Sequence, residues 1–209
     1  MIKSIITIGT LLFSMISYSQ INAITETGDE VILYNNNTWK YSNDSLNNSI
    51  EILKNEKLFT KNNHSTFQVK SSKTNVGIWI SPKEWNFAKA EQGSPSEYSF
   101  THKTDDIYGM LIAEKAEIPV ESLVEIAYEN ALEAAIDTQI ITKEYRNVNG
   151  IEVIMLKMKG TMQGVKFVYI GYYYSNSEGA FQFVTYTSQK MLKDYENSMF
   201  DLLNGFTEY

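Results

Sequence analysis

Chemistry needs side chains that attack, hold metals or move protons, and this sequence holds few of them. It has no Cys and only two His, His64 and His102. A thiolate metal site, a cysteine nucleophile, a disulfide framework and a lipid anchor on Cys are excluded together. A zinc site or a catalytic triad needs converging His or Cys, or a His oriented by an acid. His64 lies in a polar stretch and His102 at a strand end, and both read as solvated. The carboxylates Asp105, Asp106, Glu114 and Glu152 remain. Two of them meeting in one cleft would supply the acid and base of a hydrolase or lyase. Asp105, Asp106 and Glu114 would also suit a hard cation, but the loop lacks the alternating ligands of a calcium site. Neither a catalytic residue nor a metal or other cofactor is therefore expected. The nucleophile-elbow, P-loop, zincin and Rossmann motifs are missing too.

Recognition is the other chemistry on offer. The chain carries 14 Tyr, and five of them, Tyr169, Tyr172, Tyr173, Tyr174 and Tyr186, fall in one short region. Strand alternation sends Tyr172 and Tyr174 to one face and Tyr169 and Tyr173 to the other. Tyr169, Tyr172 and Tyr174, with Gly171 and Trp79, form the candidate ligand-binding set. Gly171 leaves a gap in an aromatic row, which has two readings. Either an Ala-rich helix fills it, or a pocket lined by Tyr remains for a small ligand. Gly160-Thr-Met-Gln-Gly164 reads as a turn, with a ligand lid as the other possibility.

The elements that must position these residues are strands and two helices. Residues 151–158, 165–174 and 180–187 are β-branched and aromatic runs separated by Gly-bearing breaks, as in consecutive antiparallel strands. Asn149-Gly150 is a hairpin signal ahead of them, and residues 139–148 form the strand before it. Several runs are apolar on both faces, so layers must cover both sides of the sheet. Pro119 opens a helix whose Val120, Leu123, Val124, Ala127, Ala131, Ala134 and Ala135 share one face. Ser188 caps a second, with Met191, Leu192, Tyr195, Met199, Leu202 and Leu203 as its stripe and Gly205-Phe206 as its end. Upstream, residues 66–70 and 75–80 form a hairpin, 81–87 a loop or single helical turn, and 97–102 and 107–113 two more strands.

The N-terminus supplies an address. Lys3 precedes an apolar core from Ile5 to Ile16, and Ser17-Tyr18-Ser19 places small residues for cleavage before Gln20, the pattern of a removed signal peptide over residues 1–19. No other run is long enough to cross a bilayer. The net charge is −7 and Arg146 is the single Arg, without a Lys/Arg stripe, so nucleic acid is not an expected partner. Residues 20–41 read as a β-hairpin, Val31 to Tyr34 returning over Thr38 to Tyr41. Residues 42–65, rich in Asn, Ser and Lys, read as a linker with one short helix near Ser49–Leu58.

Two resemblances follow from these residues. Thr25-x-x-Gly28-x-x-Val31-x-Leu33, followed by Asn37-Thr38-Trp39, is similar to a short element at the start of many exported Bacteroidota proteins, with Asn37 where that pattern has Gly. From about Phe67 to Tyr209, Val148-Asn-Gly-Ile151, Tyr169 to Tyr174, Phe181 to Thr187 and the closing Gly205-Phe206 resemble the PsbP/Mog1/DcrB-like group. That resemblance implies an α+β fold, an antiparallel sheet between helices over residues 66–209, and a binding or assembly role. The expected function is an exported, non-enzymatic module of the cell envelope, periplasmic or secreted, whose partner is an envelope protein or a small ligand. The alternative is a carboxylate-dependent hydrolase or lyase of the periplasm.

Overall fold

The computed structural model describes residues 21–25, 28, 30–33, 39–41, 52–91 and 93–209. The chain divides into two compact units, residues 1–49 and 50–209. The first holds an antiparallel three-stranded sheet of β1 (Ile21–Ile24), β2 (Glu30–Leu33) and β3 (Trp39–Tyr41). β2 and β3 pair with Leu33 opposite Trp39, and β1 adds a strand that the sequence did not announce. The signal segment, the turn at 34–38 and the stretch 42–51 lie outside the described residues.

The second unit runs β4 (Leu53–Phe59), β5 (Phe67–Lys70), β6 (Val76–Ile80), β7 (Trp85–Lys89), β8 (Tyr98–His102), β9 (Tyr108–Glu114), α1 (Val120–Ala134), β10 (Gln139–Val148), β11 (Ile151–Met162), β12 (Val165–Asn176), β13 (Gly179–Ser188), a 3-10 turn (Gln189–Met191), α2 (Leu192–Leu203) and β14 (Phe206–Glu208). Eight strands form one sheet in the order β4-β10-β11-β12-β13-β9-β8-β7, and β14-β6-β5 form a smaller one. Every pairing is antiparallel except β4 with β10, which is parallel.

The long central strands owe their register to tight turns. Asn149 (φ 51°) and Gly150 (φ 88°) make the two-residue turn between β10 and β11, whose twist matches that of the flanking strands. Gln163 (φ 51°) and Gly164 (φ 82°) do the same between β11 and β12. The turn expected over Gly160–Gly164 is thus confined to Gln163-Gly164, and β11 continues through Gly160 to Met162. A Cβ on Gly160 would stand 2.9 Å from Thr138 Oγ1 and 3.0 Å from Phe167 Cζ, so its bare backbone is what admits these neighbours.

Both faces of the large sheet are buried, each by its own layer. Val153, Met155, Ile170, Tyr172, Phe181 and Phe183 pack with Met199, Leu202 and Leu203 of α2 and with Val76, Ile78, Ile80 and Phe206 of the small sheet. On the other face, Ile154, Leu156, Met158, Tyr173 and Val184 pack with Leu123, Val124 and Ala127 of α1. This is the expected α+β arrangement, helix, sheet, helix, with the small sheet sharing the α2 layer.

Two local expectations are corrected. Leu53–Phe59 is an edge strand of the main sheet and not a linker helix. Its Lys and Glu content suits a helix in isolation, but β10 offers a free edge, and Asn55 Nδ2 donates to Glu144 Oε1 at 3.0 Å across the pair. Trp85–Lys89 is a strand where a loop or helical turn is expected, because β8 has a free edge to extend. α2 ends at Leu203, just ahead of Gly205-Phe206 as expected, and the chain then adds β14 to β6, with Phe206 buried in the core.

Candidate functional site

β12 distributes its tyrosines as alternation demands, and the structure gives each a separate job. Tyr172 is 1% exposed; its hydroxyl donates to Asn204 Oδ1 at 2.7 Å and accepts from Arg146 Nη1 at 3.3 Å. Burial pushes this hydroxyl up to about 12, against the pull of the Arg146 charge. Tyr174 donates to Glu208 Oε1 at 2.7 Å and stacks on Phe181 with ring centroids 5.7 Å apart. Burial, then the Glu208 hydrogen bond, raises it to about 12 as well. Both tyrosines tie the sheet to the C-terminal segment.

The gap at Gly171 is closed by Tyr173. A Cβ there would lie 3.0 Å from Tyr173 Cε2, 3.2 Å from its hydroxyl oxygen and 3.1 Å from Val184 Cγ2. An aromatic ring two residues along the same strand covers the glycine, so neither an alanine face nor a ligand occupies that space. Trp79 sits on β6 between the buried Ile78 and Ile80, with Lys61 Nζ 5.1 Å from its ring centroid. Tyr172 and Tyr174 thus face α2, Tyr169 and Gly171 face α1, and Trp79 belongs to the small sheet. The five residues expected to form a ligand site do not line one cavity.

What the structure brings together instead is a row across three strands. Register places Tyr169 of β12 opposite Tyr186 of β13, and Tyr186 opposite Tyr108 of β9. Their rings follow one another at 5.2 Å and 5.5 Å, and Phe167 extends the row 4.7 Å from Tyr169. Tyr169 and Tyr186 are half-buried and Tyr108 is 37% exposed. Burial raises the hydroxyls of Tyr169 and Tyr186 above the usual phenol range. The helix above this face, α1, lies on β11 and β12. Toward β7 the same face leaves Ser99, Thr101, Asn86 and Ala88 exposed. The row therefore forms the border between a covered half of the sheet and an open half. Sequence alternation could assign Tyr169 and Tyr186 to faces, but Tyr108, 61 positions before Tyr169 in number, joins them only through pairing.

The carboxylates do not converge. Asp105 and Asp106 stand in the turn before β9, Glu114 ends the same strand, and Glu152 is on β11. Asp106 accepts from the Tyr108 hydroxyl at 3.3 Å, and Asp105 faces His102 Nδ1 at 3.3 Å. His102 is not solvated as expected: its side chain is 9% exposed and packs edge-on against Trp85 at 5.0 Å. Among the described residues no three His, Cys, Asp or Glu come together in a metal-binding group. The acid–base pair required by a hydrolase reading is not assembled from these four.

Two polar features escaped sequence reasoning. Arg146, the single Arg, is enclosed between Phe59 and Phe200, its guanidinium 4.4 Å and 4.6 Å from their ring centroids, with Nε donating to Glu144 at 2.5 Å. Glu97, 3% exposed, accepts from Ser71 Oγ at 2.6 Å, Ser72 N at 2.6 Å and Ser72 Oγ at 2.8 Å. Both are satisfied structural charges. Two recesses are also present, neither bordered by the tyrosine row. One, of about 150 Å³, is lined by Lys54, Asn55, Arg146 and Glu152 among others; one of about 380 Å³ lies beside Ile118, Pro119 and Ser175.

Among solved structures, the chain is similar to cyanobacterial PsbP (CyanoP) from Synechocystis, with a TM-score of 0.51, 15% identity, and coverage of 68% of this chain and 92% of that one. The fold is PsbP-like. The expected resemblance to the PsbP/Mog1/DcrB-like group thus holds at the level of fold. The PsbP-like chain is also similar to LpqN, involved in cell envelope biogenesis of Mycobacterium tuberculosis, at 11% identity and a TM-score of 0.47, over 68% of this chain and 88% of that one. A protein of unknown function from Pseudomonas aeruginosa matches at 12% identity and 0.40, over 63% and 89%. No protein-family model matches the sequence, and no curated protein is detectably similar to it.

Proposed function

We propose that this chain is an exported, non-catalytic binding or assembly module of the cell envelope, and that it meets its partner on the open half of the α1 face along the tyrosine row. The observation that carries this reading is the row itself: Tyr108 stacked on Tyr186, and Tyr186 tilted against Tyr169, at the border of an exposed sheet surface. Tyr offers a large rigid ring with a polar tip, the combination that protein interfaces favour. Export rests on the N-terminal segment, whose apolar core and Ser17-Tyr18-Ser19 site are those of a cleaved signal. No helix among the described residues is long and apolar enough to cross a membrane.

A photo-crosslinking residue at position 108, compared with one at the exposed Lys193 on α2, tests the surface in the native envelope. Position 108 is expected to trap one defined partner, identified by mass spectrometry, and Tyr186→Asp introduced beside it is expected to abolish the adduct while circular dichroism stays native. Equal, non-specific labelling from positions 108 and 193 would refute the reading. Export is checked in the same preparation by an N-terminus at Gln20.

A further inference from the structure

The large sheet ends in two edges that are guarded very differently. At one end β4 carries Lys54, Glu56 and Lys57 and a register shift against β10 between Arg146 and Asn147. Charge and irregularity of this kind are how sheet edges resist pairing with other chains. At the other end β7, Trp-Asn-Phe-Ala-Lys, is in continuous register with β8, has no Pro, and carries the single charge of Lys89. Phe87 is 42% exposed there and stacks on Phe67 of β5, itself 46% exposed, at 5.5 Å.

The ladder shows which backbone groups β7 turns outward. Lys103 N–H donates to Glu84 O at 2.8 Å, and Ala90 N–H to Glu97 O at 3.0 Å. Bonded pairs alternate along an antiparallel ladder, so Glu84, Asn86, Ala88 and Ala90 bond inward to β8. The other set faces away: the carbonyl of Trp85 and both backbone groups of Phe87 and Lys89. Trp85 N–H is already committed to Ser81 O at 2.9 Å.

We propose that β7 is an interface between two copies of this chain, joined edge to edge as an antiparallel pair centred on Phe87. That register is the self-complementary one. Phe87 exchanges both hydrogen bonds with its copy, and each Trp85 carbonyl accepts from the other copy's Lys89 N–H. One step further out, Lys83 of one copy stands beside Glu91 of the other, and the two-fold axis makes this opposite-charge contact twice. Lys83 and Glu91 are both exposed, and neither takes part in an ion pair among the described residues. The apolar strip of Phe67 and Phe87 is covered by the same strip of the second copy. The interface is an edge and not the face that carries the tyrosine row, so either can fail without the other.

Sedimentation velocity of the purified protein over roughly 1–100 µM is the test, the range in which an edge-to-edge dimer of moderate affinity reveals itself. A species of twice the chain mass is expected to grow with concentration. Lys89→Pro removes an N–H that faces away from β8 and has no hydrogen-bond partner among the described residues, and an edge strand tolerates Pro there; the variant is expected to keep its thermal transition and lose the dimer. Lys83→Glu is expected to weaken association about tenfold through like-charge repulsion, and Lys83→Glu with Glu91→Lys to restore it. A chain monomeric throughout, a dimer indifferent to Lys89→Pro, or a charge reversal that the paired swap does not rescue overturns the proposal.

Discussion

At the residue scale, small groups decide whether the central strands fit together. Gly171 has no spare room: an added side chain meets the Tyr173 ring at 3.0 Å and Val184 at 3.1 Å. Gly171→Val is expected to cost about 1–3 kcal/mol by overpacking. Urea denaturation measures it, and Gly171→Ala combined with Tyr173→Ala should recover part of the loss of the single Gly171→Ala variant through the contact they share. Asn149 is placed with equal economy. Its Nδ2 donates to Asn204 O at 2.8 Å and to Phe206 O at 2.7 Å, its Oδ1 accepts from Lys61 N–H at 3.0 Å, and its φ is 51°. Asn149→Ala loses three hydrogen bonds and leaves Ala in a left-handed conformation, so a loss of roughly 3 kcal/mol is expected. Asn149→Gly keeps the turn and should lose less, which a chemical melt of both variants will show.

At the element scale, the sheet depends on a strand that looks expendable. β4 pairs in parallel with β10, Phe59 covers one side of Arg146, and Phe59 O accepts from Asn149 N–H at 2.9 Å. A domain cut at residue 66, where the composition changes, removes all of this. Arg146 would keep Glu144 and Phe200 but lose its second aromatic wall, and a new edge would open on β10. Residues 66–209 are therefore expected to be several kcal/mol less stable than residues 50–209, or to aggregate. Thermal melts of the two fragments side by side check this, and equal melting points would show β4 to be an ornament. The long unit, which holds every strand of both sheets, should melt within a few degrees of the full chain, since domains carry their own cores.

At the scale of the whole molecule, buried phenols tie stability to alkaline pH. Tyr172 and Tyr174 are raised to about 12, and full burial drives Tyr173 higher still. In the unfolded chain these hydroxyls ionise near 10. Between the two values the unfolded chain binds fewer protons than the folded one, so stability falls as pH rises. The contribution is intact below pH 10 and lost as pH passes about 12. Each deeply buried phenol adds about 1.4 kcal/mol per pH unit to the slope there. Urea midpoints from pH 9 to pH 11.5 should be flat at first and then drop. Tyr172→Phe should flatten the drop measurably; a slope unchanged by that substitution would place the titrating groups elsewhere.

Much of this molecule is written locally. The Asn149-Gly150 turn, the alternation of β11 to β13, the spacing of Leu123, Val124 and Ala127, and the stripe of α2 depend on neighbours within a few residues, and they were legible as such. Two-faced apolarity also foretold a layer on each side of the sheet. Other features have no local cause. A charged stretch such as Leu53–Phe59 becomes a strand because β10 has an unpaired edge, and Phe206–Glu208 becomes one because β6 does. The candidate set of Tyr169, Gly171, Tyr172, Tyr174 and Trp79 spans both faces of β12, as alternation already implied, and two different sheets, which it did not. The row that replaced it joins Tyr169, Tyr186 and Tyr108 through strand register alone, and Tyr173 fills the gap at Gly171 through the direction of a single ring. Local propensity acts over a turn or two of chain, whereas register, edge pairing and ring orientation are settled by contacts between segments far apart in sequence, and these only tertiary structure decides.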